Sequence, residues 1–112
     1  MARVRLTPVA LNDLQEIKTY ISEELCNPIA ANRIVKRIID DYTLLEVSPY
    51  MGVSLSAKLH MKTDYRYLIS GNYLIFYKAD SENVSIYRVL NGKMDYIKIL
   101  FGEVGNEQEI AE

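Results

Sequence analysis

Three apolar runs separated by very short polar links fill the second half of the chain. They are YRYLI from Tyr65, YLIFYKA from Tyr73 and VSIYRVL from Val84, joined at Ser70-Gly71-Asn72 and at Asp80 to Asn83, and closed by Asn91-Gly92. Links of that length cannot carry a crossover, so consecutive runs must lie antiparallel. The middle run is apolar on both sides except at Lys78, which predicts the central strand of a meander. Its Tyr73 and Tyr77 share a side with Ile75 and are expected to face a helical layer.

The first half supplies that layer. After a short alternating stretch, ARVRL at residues 2–6, Thr7-Pro8 combines a capping hydroxyl with a proline whose missing N–H costs nothing in a first helical turn. A helix is predicted from Pro8 to about Leu25. Its apolar stripe is Ala10, Leu14, Ile17 and Ile21, with Asp13, Glu16, Glu23 and Glu24 mainly off that stripe. Asn27-Pro28 repeats the signal and opens a second helix to about Val47, with Ala31, Ile34, Val35, Ile38, Tyr42 and Leu45 as its buried side. A link of one or two residues makes the pair an antiparallel hairpin, and Ser48-Pro49 ends it. The polar segment VSLSAKLHMKTD follows; read as extended, it sets Lys58, His60 and Lys62 on one side. After Gly92, KMDYIKILF is expected to form a short helix with Tyr96, Ile97, Leu100 and Phe101 facing inward. The class is α+β, one domain over residues 1–102 with residues 103–112 as an acidic mobile tail, and no internal repeat.

Charge enters here because the tail biases the total. The chain carries 13 Lys and Arg against 15 Asp and Glu, but Glu103, Glu107, Glu109 and Glu112 lie in the tail, leaving 13 basic against 11 acidic residues in the body. That slight surplus is weak support for nucleic-acid binding. No apolar run approaches a bilayer-spanning length, no apolar signal core precedes the patterned sequence, and the single Cys26 has no internal disulfide partner. A cytoplasmic protein without membrane contact is expected.

One arginine interrupts the last apolar run. A charge within a strand is costly unless it is paired or aimed at a partner. Arg88 is therefore read first as an anchor, pairing with a carboxylate such as Asp95 or lining the groove under the helices, and second as a direct contact. Arg66, on the first strand of the meander, is read either as a solvated residue or as one facing the concave side with Lys58 and Lys62. His60 is the one histidine, which leaves little support for a metal site or a Cys–His dyad. Neither a metal nor a cofactor is expected. Lys93 and Tyr96 flank Asp95 where the last strand ends, and Asp95 would suit the first turn of a helix.

The order of elements, together with TPVALNDLQEI, NPIAANRIVKRI, SPYMG, SGNYLIFYKA and YRVLNGKMDYIKIL, resembles the RelE/ParE superfamily of bacterial toxins from Leu6 to Phe101. The resemblance implies the toxin of a type II toxin-antitoxin module, forming a hetero-oligomer with a cognate antitoxin. RelE-like members cut messenger RNA on the ribosome; ParE-like members act on DNA gyrase. The RNA-cutting branch carries arginines and a tyrosine at positions that hold Leu74, Met94 and Leu100 here, and all three departures remove polar chemistry. The apolar central strand followed by YRVLNGKMDYIKIL is closer to ParE-like members. The implied function is growth arrest through DNA gyrase, with Arg66, Arg88, Lys93 and Tyr96 as the target- or partner-binding set. The alternative is a ribosome-dependent messenger RNA endonuclease using Lys58, His60, Lys62, Arg66 and Tyr96, because cleavage through the 2′-OH requires a base, positive charge on the phosphate and a proton donor.

Overall fold

The computed structural model describes residues 1–102; the predicted acidic tail lies outside the described residues. The elements are β1 (Arg3–Leu6), α1 (Pro8–Thr19), α2 (Pro28–Thr43), β2 (Val53–Ser54), α3 (Leu55–Leu59), β3 (Arg66–Ser70), β4 (Tyr73–Ala79) and β5 (Asn83–Asn91), with a last helical stretch, α4, at residues 96–102. The strands form one sheet in the order β1-β5-β4-β3-β2. The meander β3-β4-β5 is antiparallel as predicted. β1 instead runs parallel to β5, Arg3 beside Asn83 and Leu6 beside Ile86. A parallel neighbour needs a long crossover, and the helix hairpin is its first part.

Both helix starts behave as the sequence indicates. Thr7 Oγ1 accepts from the N–H of Ala10 at 3.1 Å, Asn27 Oδ1 accepts from that of Ala30 at 3.1 Å, and each helix opens on proline. The first helix ends differently from a plain α-helix. Residues Tyr20–Glu24 widen into a π turn, closed by Leu25 N–H donating to Tyr20 O. Cys26 follows in the left-handed region at φ 52°, and the chain reverses into the cap at Asn27. The second helix, by contrast, tightens into a 3₁₀ turn at Leu44–Glu46.

The apolar stripes of both helices meet one side of the sheet. Ala10, Leu14, Ile38 and Leu45 are buried there with Ile75, Tyr77, Val84, Ile86 and Val89. Each large side chain so buried contributes about 1.5–3 kcal/mol. The opposite side has a smaller core: Leu55, Tyr67, Phe76 and Leu90 are buried under α3 and α4. Tyr96, Leu100 and Phe101 pack against this core as expected, but Ile97 is exposed. Seven residues make only two turns, so one helix face suffices for the cover and Ile97 lies off it.

Two sequence expectations change. Residues Val53–Asp64 are not an extended run: after the two residues of β2 the chain coils into α3, whose Leu55 is fully buried. Lys58, His60 and Lys62 therefore do not alternate along one side. Asp13 is not an outward residue either; it is only 5% exposed.

Candidate functional site

Asp13 is buried because β1 is short. β1 stops pairing at Leu6, so the outer edge of β5 beyond Ile86 has no strand beside it. The first helix supplies the missing acceptors and donors. Thr7 Oγ1 donates to Tyr87 O at 3.2 Å, and Asp13 Oδ2 accepts from the N–H of Val89 at 2.9 Å. The register between β4 and β5 slips between Phe76 and Tyr77, a bulge that re-aims the following residues. Arg88 then reaches the same carboxylate with two of its guanidinium nitrogens, Nε at 2.8 Å from Oδ2 and Nη2 at 2.9 Å from Oδ1.

Arg88 is thus an anchor, as first read, but its partner is Asp13 and not Asp95. Asp95 instead accepts from the N–H of Lys98 at the start of α4. Bonding to Asp13 is the main reason that Arg88 is held above the ordinary arginine range. Sequence reasoning missed Asp13, which sits next to Leu14 on the border of the apolar stripe; an acid at such a border position is the one available signal.

The candidate nuclease residues are spread over three surroundings. Arg66 donates from Nη1 to the carbonyls of Gly52 (2.9 Å) and Tyr50 (3.1 Å) and lies over the Tyr50 ring. The chain can pass this close because residue 52 is glycine: its N–H donates to the Tyr77 hydroxyl at 2.8 Å, and a Cβ there would stand 2.5 Å from that oxygen. Lys58 lies 5.0 Å above the ring centre of Tyr67 and 5.8 Å above that of Tyr96, on the side of the sheet under α4. The neighbouring Tyr96 and then Tyr67 side chains hold Lys58 above the usual lysine range, so it is a cation at neutral pH. His60 is exposed in the left-handed position that ends α3, at φ 55°, and Lys62 is exposed two residues on. Among the described residues, no hydrogen bond or ion pair joins His60 or Lys62 to the others. Lys93 is exposed, its N–H taken by Asn91 Oδ1.

A separate cluster surrounds Lys78. Its ammonium lies over the rings of Tyr65 (4.6 Å) and Tyr87 (5.2 Å), and Tyr65 meets Tyr87 and Phe101 edge to face. Desolvation pushes the Tyr65 hydroxyl above its ordinary range. Lys78 also lines an open polar cleft of about 590 Å³ at the end of the sheet where β4 finishes and β5 begins, with Arg5 and Arg66 as further cations and Asp64 and Asp80 as acids.

This fold has a solved counterpart. The chain is similar to one from a structure titled "Chromosomal ParDE TA system from P. aeruginosa", with a TM-score of 0.68 at 18% identity over 81% of this chain and 96% of that one. At that identity the likeness defines the architecture, an α+β fold shared with a chain of a toxin-antitoxin system. The family model for the ParE toxin of the type II toxin-antitoxin system, parDE, matches residues 4–96, and the chain belongs to that family. Comparison with curated protein sequences finds no match.

Proposed function

We propose that the chain is a ParE-like toxin that arrests growth in the cytoplasm by binding and inhibiting DNA gyrase, and that a cognate antitoxin neutralises it in a hetero-oligomer. Membership of the ParE toxin family and the likeness to a chain of a ParDE system support the toxin and antitoxin parts of this reading. Arg66, Arg88, Lys93 and Tyr96 are the proposed contact set. Arg88 acts in it by holding β5 against α1, since its Nε and Nη2 are both bonded to Asp13.

The observation that carries the choice of inhibitor over nuclease is the separation of the cationic groups. Lys58 is seated over Tyr67 and Tyr96, whereas Arg66 is turned to the carbonyls of Tyr50 and Gly52. Cleaving a phosphodiester requires a base, an acid and positive charge around one phosphate. The second reading, ribosome-dependent cleavage of messenger RNA, draws support from the polar cleft with Arg5, Arg66 and Lys78.

Induction without the antitoxin separates the two. Gyrase-dependent DNA breaks with intact transcripts are the expected result. Cuts mapped within translated messages, abolished by alanine at Lys58 or Arg66, would replace the inhibitor reading with the nuclease one.

A further inference from the structure

The β3–β4 turn and the second helix enclose a hollow of about 340 Å³ that has no part in the proposed contact set. It is lined by Arg33, Ile34, Arg37, Ser70, Gly71, Asn72 and Tyr73. Arg33 and Arg37 stand one turn apart on α2, so their side chains leave the helix on the same face. Among the described residues Arg33 has no acidic partner within ion-pair distance. Arg37 has only Asp41, at 3.9 Å, and its side chain is largely exposed. Two arginines thus line a hollow whose lining contains no carboxylate.

The floor of the hollow is unusual. Ser70 ends β3 on the side facing the helices, with Leu68, and is 1% exposed, yet among the described residues its hydroxyl has no hydrogen-bond partner. That hydroxyl is covered by the surrounding protein, so the donors open to the hollow are those of its rim. Beside it Gly71 adopts φ +59°, and a Cβ there would come within 3.5 Å of Arg37 Nη1. The turn therefore keeps the guanidinium close to the backbone.

We propose that this hollow binds a doubly charged tetrahedral oxyanion, inorganic phosphate or a phosphate monoester. Arg33 and Arg37 supply two charge-assisted forks, the chemistry that arginine offers phosphate. The Asn72 amide, also in the lining, supplies a neutral donor. The larger cleft at the other end of the sheet is a poorer anion site: Asp64 and Asp80 line it, Arg66 already bonds carbonyls, and Lys78 is seated on tyrosine rings.

The test is a titration of the full chain with inorganic phosphate, glycerol phosphate and acetate, followed by amide and arginine Nε–H resonances. Phosphate is expected to shift Gly71, Asn72 and the Nε–H signals of Arg33 and Arg37 in a saturable way, and acetate far less. The Arg33→Gln/Arg37→Gln double variant, changed only at exposed positions, should weaken binding about tenfold or more, because charge-assisted bonds are removed. Ser70→Ala, which changes only a covered hydroxyl, should leave binding within about twofold of the parent. Tighter binding of glycerol phosphate would assign a monoester, and tighter binding of phosphate the free ion. The proposal is overturned by unsaturable shifts, by equal affinity for acetate, by shifts centred on Arg5 and Lys78, or by a double variant that binds as well as the parent.

Discussion

Replacing Asp13 by alanine removes the acceptor for three donors at once, and the size of the loss follows from their surroundings. The N–H of Val89 is left without a partner at an edge that no strand covers, costing about 1–3 kcal/mol. Arg88 loses two charge-assisted bonds, but its side chain is 28% exposed against 6% for Asp13, so water replaces part of what is lost. A further 1 kcal/mol or so is reasonable, giving about 2–4 kcal/mol in all. For a domain of this size that lowers the melting temperature by about 8–16 °C.

The reverse truncation, Arg88→Met, leaves the better buried partner unpaired and should cost as much or more, about 3 kcal/mol. Arg88→Lys forfeits the fork but keeps a charge, and should cost about 1 kcal/mol. Urea unfolding of both single variants and the double variant Asp13→Ala/Arg88→Met reads these directly, with coupling of at least about 1 kcal/mol expected between the two sites. An Asp13→Ala loss below about 1 kcal/mol, or additive single losses, would refute the view that this pair clamps α1 to the open edge of β5.

Gly52→Ala should destabilise by about 1–3 kcal/mol, since the new methyl group must displace the Tyr77 hydroxyl or the Tyr67 carbonyl; thermal unfolding checks it. Thr7→Ala and Asn27→Ala should each cost about 1 kcal/mol through loss of a helix cap, read from denaturant midpoints. The Asp80 carboxyl is held below its usual range by the N–H groups of Glu82 and Asn83. A depressed acid contributes stability that is full above its unfolded pKa and vanishes as pH falls through the folded one. Asp80→Asn should therefore flatten the acid limb of the stability curve below about pH 4, matching the parent at low pH and falling below it at neutrality; an unchanged acid limb would refute the assignment.

Local grammar was legible in the residues. Thr7-Pro8 and Asn27-Pro28 marked both helix starts, the stripes from Ala10 to Ile21 and from Ala31 to Leu45 marked the faces that are buried, and the short links after Tyr65 dictated the meander. Each of these depends on contacts between residues close in the chain, where spacing and turn chemistry leave few alternatives. The resemblance carried by those same stretches anticipated the family.

Tertiary structure decided what depends on residues far apart in the chain. Nothing in ARVRL says that it pairs parallel with Asn83–Ile86, and only that short pairing leaves the edge of β5 open beyond Ile86. The open edge draws in Asp13, an acid that helical periodicity alone placed outside the apolar stripe. Asp13 in turn takes Arg88, whose expected partner Asp95 was nearer in sequence but is engaged at its own helix start. Lys58, His60 and Lys62 separated for the same kind of reason: burying Leu55 coiled a segment that alternation alone would have extended. Spacing along the chain determined which side chains had to be buried or capped, but the pairing of charges followed from which backbone edges the assembled sheet left unsatisfied.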